Sequence, residues 1–384
     1  MRDFWKQWVG VALFLFCILG FEGPVQAETP SPAGEAGLRV AAVGDTGIGE
    51  RTFHPGFLAV EQAIQDKRPD VLLHVGDFVY QPELMPETCP KRYLDEIRER
   101  LVDPFHFRIF VPGDNDLPPH ANKPKASGCW SGIAAMKTPL NPPAVPGAGA
   151  DEGTRVIGPV LFAVIDSYPY RDPTPWLASK IERARARGLW VILALHEPAV
   201  TTAWFLDKRA GALRDLNALK PDLVLSGNQH SYERFLPMNV PGPHGELRVR
   251  PSGGSTYQQG DGVIHVVTGG GGAKFKPFAD MQGKSKRTAP PEVFQALKTR
   301  ALMNHFVLLE ITREKLLATT YRVCAGEAAE KQSNPRWRPQ MRVWKNIALE
   351  CDGNAAGVTV FDRFEIRSGR AEDGEDKLKS PAGG

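Results

Sequence analysis

The chain has 384 residues, 42% of them hydrophobic, enough to bury a large core. Lys and Arg number 47 against 44 Asp and Glu, a net charge of +3 over the whole length. So even a balance excludes a strong field for nucleic acid or a membrane surface, and a polyanionic partner gains no support from it.

The first residues stand apart. Arg2 and Lys6 precede an apolar run from Val9 to Leu19, and Val25 and Ala27 follow. The pattern predicts a secretory signal peptide over residues 1–27, cut after Ala27, because the run is shorter than the roughly 20 residues a membrane span needs. The expectation is an exported protein, periplasmic or secreted, with no stable membrane anchor once the signal is gone. A Pro/Ala/Gly linker follows at 28–37. Four cysteines remain, Cys89, Cys129, Cys324 and Cys351, and an oxidising compartment allows them two disulfides. Cys89 with Cys129 and Cys324 with Cys351 is the more local pairing, but the sequence leaves connectivity open.

From residue 38 short apolar runs recur: "LRVAAVG", "VLLHVG", "FRIFVPG", "VLFAVI", "WVILAL", "DLVLSG" and "VIHVVTGG". Each is rich in Val, Ile and Leu and closed by Gly, Asp or a nearby His, the signature of buried strands. Helical stretches at 56–67, 91–102, 176–187 and 206–219 separate several of them. The alternation predicts an α/β fold with a largely parallel core sheet. Residues 118–153, 237–262 and 273–291 read as long surface loops rich in Pro, Gly, Ala or Lys. Beyond 306, "FVLLEIT", "KLLATTYRV" and "VTVFDRFEIR" read as antiparallel strands, and 368–384 as a charged, disordered tail. One domain over 38–367 accounts for the pattern, and nothing in the sequence sets an oligomeric state.

The strong polar side chains sit where the apolar runs end. Asp45 follows the first run, Asp77 and Tyr80 the second, Asp114, Asn115 and Asp116 the third; His196 closes "LALH" and Asn228 and His230 lie in "LSGNQH". Ligands of open α/β sheets collect outside the carboxyl ends of strands. A lone Gly-Asp would be a turn former, but several carboxylates meeting in one crevice need a cation to offset their repulsion. Mixed carboxylate and imidazole donors suit Zn²⁺, Fe or Mn²⁺.

The ordered set Asp45, Asp77-x-x-Tyr80, Gly113-Asp114-Asn115-Asp116, His196-x-Pro198 and Gly227-Asn228-Gln229-His230, followed by Tyr232-Glu233-Arg234, resembles the calcineurin-like metallophosphoesterases and, within them, the purple acid phosphatases. "VVTGGGGAKF" at 266–275 is similar to the family's later Gly-rich turn. The resemblance implies a four-layer α/β/β/α sandwich that hydrolyses small phosphate esters with two metal ions, Fe³⁺ beside a divalent Fe, Zn or Mn. It puts Asp45, Asp77, Tyr80 and His230 on the first ion, with Asp77 bridging, and Asp114, His196 and Asn228 on the second. It implies catalysis through Asp114, Asn115, His196 and His230, by attack of a metal-bound hydroxide on phosphorus without a covalent enzyme intermediate.

Two places depart from the pattern. The family shows Gly-Asn-His followed by an acid where this chain has Gly113-Asp114-Asn115-Asp116, and Gly-His-x-His where it has Gly227-Asn228-Gln229-His230. Asn228 exchanges one neutral donor for another, whereas Asp114 adds a negative charge. By that count the site holds one positive charge fewer than its relatives, and the expectation is a shift from dianionic monoesters toward monoanionic diesters. Asn115, an amide, cannot protonate a leaving group as imidazolium can. His120 and His54 are the alternative acids, His74 is expected as a buried partner behind the ligands, His265 and His305 as structural or rim residues, and Glu233 with Arg234 as a pair that fixes the loop of His230. The rival reading is a single-metal or catalytically impaired phosphate-binding protein of the same fold.

Overall fold

The computed structural model describes residues 37–47, 55–81, 84–144, 148–204, 209–240, 247–250, 254–326 and 357–369. The expected signal peptide, almost all of the linker and nearly all of the tail lie outside them, as do His54 and Cys351. The chain divides into two units, Met1–Pro32 and Ala33–Gly384, and every described residue belongs to the second.

Two seven-stranded sheets form its centre. The first is built on three parallel strands, β1 (Leu38–Val43), β2 (Val71–His74) and β3 (Phe107–Phe110). It is extended from β1 by the antiparallel strands β14 (His305–Ile311), β15 (Lys315–Cys324) and β16 (Gly357–Arg367), with β11 (Thr256–Gln258) at the edge. In the second sheet β5 (Val160–Val164), β6 (Trp190–Leu195), β7 (Leu223–Ser226) and β12 (Ile264–Thr268) run parallel. Three antiparallel strands flank them, β4 (Gly153–Ile157) on one side and β8 (Tyr232–Phe235) and β13 (Leu297–Ala301) on the other. A separate ribbon pairs β9 (Met238–Asn239) with β10 (Arg248–Val249).

Strand periodicity explains the layering. Alternate side chains of β1 go to opposite faces: Val40 and Ala42 join the core between the sheets, with Leu73, Val307, Phe162, Ile192 and Leu225. Ala41 and Val43 face outward, toward Phe57 and Ile64 of α1 (Pro55–Asp66) and Tyr93 and Ile97 of α2 (Lys91–Ile97). On the far side, Leu161, Leu193 and Val224 pack against Trp176 and Ile181 of α4 (Thr174–Ala186) and Leu216 of α5 (Arg209–Ala218). Strands covered on both faces have no polar face to show, so they read as continuous apolar runs. The result is the four-layer α/β/β/α sandwich the resemblance implied.

Several details differ from the sequence reading. The parallel strands are divided between two mixed sheets, and the C-terminal antiparallel strands fold back on β1 to extend the first. The loop expected at 118–153 contains a short helix, α3 (Trp130–Ala134), and α6 (Pro291–Ala296) follows the lysine-rich loop. The disulfide Cys89–Cys129 is formed, and Cys324 is also disulfide-bonded.

Glu233 and Arg234 do not pair with each other. They are neighbours on β8 and so point to opposite faces. Glu233 accepts hydrogen bonds from Thr202 N at 2.8 Å and Thr202 Oγ1 at 3.0 Å. Arg234 donates from Nε and Nη2 to the two oxygens of Asp362 at 2.5 and 2.9 Å, and from Nη1 to Tyr257 Oη at 3.0 Å. This bidentate pair bolts the second sheet onto β16 of the first. Arg234→Met would strip Asp362 of its cation and leave it the Tyr232 hydroxyl at 2.8 Å, and breaking a buried ion pair typically costs about 3–5 kcal/mol. A fall of that size is expected in the unfolding free energy measured by urea denaturation.

Candidate metal centre

The strand ends of both sheets are knitted together before any side chain is considered. Gly44 N donates to Thr268 O at the end of β12, Asp45 N to Gly76 O, and Gly227 N to His196 O, each at 2.9 Å. Asp45, Asp77 and Asn228 adopt left-handed backbone, with φ of 57°, 59° and 62°. Such conformations are costly for residues other than Gly and gather where function holds them in place. Gly113 and Gly269 make room: a Cβ on Gly113 would come within 2.1 Å of Asp77 N, and one on Gly269 within 2.6 Å of Asp45 Oδ2.

The cluster is short of protons. Asp45, Asp77 and His196 are fully buried, and each offers a ligand atom within 4.8 Å of the others. Tyr80 Oη lies 2.7 Å from Asp45 Oδ1, 2.7 Å from Asp77 Oδ2 and 2.9 Å from His230 Nε2, yet a phenol has one hydrogen to give. His196 Nδ1 donates to Val75 O at 2.6 Å, which turns Nε2 toward Asp77 Oδ1 at 3.4 Å and Asp114 Oδ1 at 3.7 Å. That nitrogen is buried and has no hydrogen-bond partner. His230 repeats the arrangement, with Nδ1 on Lys274 O and Nε2 toward Asp45 Oδ1 at 3.4 Å. Ring nitrogens fixed from behind in this way are the usual posture of metal-ligating histidines.

The electrostatics show a demand for positive charge at the same place. Burial opposes a charge on His196, but Asp77 and Asp114 outweigh it and hold the imidazole well above the ordinary histidine value. Burial, then Asp45 and Asp77, push the Tyr80 phenol well up. Burial and Lys276 lower His230, which stays a neutral donor. Excess lone pairs around buried carboxylates fit a cation, or a pair of cations, better than any proton count the side chains supply.

Of the expected residues, Asp45, Asp77, Tyr80, Asp114, Asn115, His196 and His230 converge here. Asn228 takes part through its backbone, whose N–H donates to Asp45 Oδ2 at 2.8 Å. Asn115 is committed to Asp77, with Nδ2 on Oδ2 at 2.6 Å and its backbone N on Oδ1 at 2.9 Å. His120 is exposed. His74 is the buried partner expected: Gly76 N donates to its Nδ1 at 3.2 Å, its Nε2 meets Thr46 Oγ1 at 2.9 Å, and burial lowers its pKa to about 3. His265 and His305 are buried structural residues, the first against Asn217 and the second with Nδ1 on Met303 O.

Three contributors had no role in the sequence reading. The carboxylate of Asp116 accepts four backbone N–H bonds, from Asp77 at 2.9 Å, Phe78 at 2.8 Å, Val79 at 3.1 Å and Gly113 at 3.0 Å, and so casts the turns that carry Asp77 and Asp114. Lys123 forms an ion pair with Asp114. It returns the positive charge that Asp114 removes, so the expected shift toward diesters no longer follows from charge. Lys276 Nζ donates to Asn228 O at 2.8 Å, which ties part of the basic loop to the site rim.

The model of the calcineurin-like phosphoesterase family matches residues 38–232, half the chain and the whole stretch from Asp45 to His230. The chain belongs to that family. No curated protein matches it. Among solved structures, a purple acid phosphatase from yellow lupin (Lupinus luteus) seeds is similar with a TM-score of 0.58 at 17% identity, over 88% of this chain and 55% of that one. The structure of PhoD is similar with a TM-score of 0.51 at 12% identity, over 88% of this chain and 71% of that one. This phosphoesterase-family chain thus spans about half the length of the lupin protein, and likeness at such identities concerns the fold.

Asp116→Ala would orphan four buried N–H groups at once. A buried group left unsatisfied costs about 1–3 kcal/mol, so a loss of at least about 3 kcal/mol in stability is expected, together with loss of metal uptake. Urea denaturation and the metal content of the purified variant check the two effects.

Proposed function

We propose that the chain is an exported phosphoesterase that hydrolyses small phosphate monoesters or diesters with two metal ions. The observation that carries this reading is the excess of buried acceptors over protons around Asp45, Asp77, Tyr80, His196 and His230. Asp45, Asp77, Tyr80 and His230 would hold one ion, and Asp77, Asp114, His196 and Asn228 the other. When bound, such ions lower the pKa of a water molecule and offset charge on the phosphoryl group. Export is the reading of residues 1–27.

The chain's own residues hold the reacting groups in register. Val75 O and Lys274 O fix the two imidazoles through their Nδ1 atoms, so that both Nε2 atoms face the carboxylates. Asp116 and Asn115 hold Asp77 from behind. Because Asn115 spends its amide on Asp77, it has no proton for a leaving group. General acid catalysis is worth typically about 10² to 10⁴-fold, so alkyl phosphates are expected to turn over more slowly than aryl phosphates by a factor in that range. Comparison of kcat/KM for p-nitrophenyl and methyl phosphate checks this; equal values would require another acid.

A single-metal site is the second reading, favoured by the backbone-only contact of Asn228 and by the hold of Lys123 on Asp114. Metal stoichiometry of the purified protein, taken with its visible spectrum, separates the two. Two ions per chain and a broad visible band lost in Tyr80→Phe are expected. A colourless protein with one ion would favour the second reading, and a protein that takes up no metal would refute both.

A further inference from the structure

The two oxygens of Asp114 serve different neighbours. Oδ2 pairs with Lys123 Nζ, while Oδ1 lies 3.7 Å from the unpartnered Nε2 of His196 and accepts from Asn115 Nδ2 at 3.3 Å. The side chains of Lys123 and Asp114 are 26% and 29% exposed, so water screens the pair only in part. Lys123 is also fixed along its backbone. Its N–H donates to His120 O at 2.9 Å, and its carbonyl accepts from His120 N at 3.3 Å and Ala126 N at 3.1 Å. The ammonium is therefore delivered to one side of the carboxylate by a closed turn, and the other side is left for the metal centre.

We propose that Lys123 neutralises Asp114, so that the pair serves the second metal ion as a net neutral oxygen donor through Oδ1. The pair is then the electrostatic counterpart of a carboxamide, and the positive charge of the centre is kept for the phosphoryl group. Lys123 is a positioning residue in this account, because it acts through Asp114. The inference rests on the two-metal reading above.

A charge cycle tests it, with Zn²⁺ as the probe. Chelator-stripped protein is titrated by equilibrium dialysis, and the second-site Kd is compared among wild type, Lys123→Met, Asp114→Asn, the double variant and Lys123→Arg. Lys123→Met bares a carboxylate and is expected to tighten the second site about tenfold; Asp114→Asn bares an ammonium and is expected to weaken it by a similar factor. The double variant restores a neutral pair and is expected within about threefold of wild type, because the two opposite single effects sum to about zero. Lys123→Arg is expected to match wild type. The first-site Kd in each titration reports whether the variant has kept its fold.

Unchanged or weaker second-site binding in Lys123→Met, with the first site intact, overturns the inference. So does a double variant that stays as far from wild type as either single variant. Wild type that binds two Zn²⁺ while Lys123→Met shows no shift overturns the inference alone. Wild type that binds none overturns the metal reading and the inference together.

Discussion

Buried negative charge is the constraint on which the rest of this structure depends. Asp45 and Asp77 are closed to solvent, share a phenol that can satisfy only one of them, and face two imidazoles that are each pinned from behind. Charges removed from water in this way are tolerated only when paired or hydrogen-bonded on all sides. Much of the surrounding architecture is a response to that demand. Asn228 N and Asn115 N point at the carboxylates, and Asp116 gathers the loops that carry them.

Two sheets suit this task better than one. Each supplies parallel strands whose carboxyl ends open on the same crevice, and the core between the sheets fixes their separation. Oxygen donors then come mainly from the first sheet, through Asp45, Asp77, Tyr80 and Asp114, and imidazoles from the second, through His196 and His230. The tie from Gly44 N to Thr268 O makes the two halves meet at one backbone junction. The glycines of 269–272 follow from that junction. A side chain on Gly269 would strike Asp45, and one on Gly270 would meet His305 within 2.1 Å. The turn is small because carboxylate and imidazole must pass over it.

Much of this was legible in the sequence. Strands buried on both faces leave unbroken Val, Ile and Leu runs, and the polar residue after each run marks a carboxyl end, so Asp45, Asp77, His196 and the group at 114–116 could be placed before the fold was known. What stayed hidden had no local pattern. β8 reads Tyr-Glu-Arg-Phe, a charged strand made tenable only by Thr202 and Asp362 from distant segments. Asp116 looks like a second acid in a short polar run, and its four N–H bonds depend on two loops that are 39 residues apart meeting in space. Lys123 belongs to a loop whose composition says no more than surface.

Lys123 also changes how the altered ligand positions are understood. Taken singly, Asp114 and Asn115 look like losses: a charge added where a neutral donor is usual, and an imidazole replaced by an amide. In space they form one arrangement, because Lys123 cancels the added charge on one oxygen of Asp114 while Asn115 braces the other and holds Asp77. A decaying site loses its ligands without regard to its neighbours, and buried charges left over from such loss would destabilise the fold by several kcal/mol each. Here Asp114 is paired with Lys123, and buried Asp116 accepts four backbone N–H bonds. That balance is what a metal centre under continued electrostatic constraint requires.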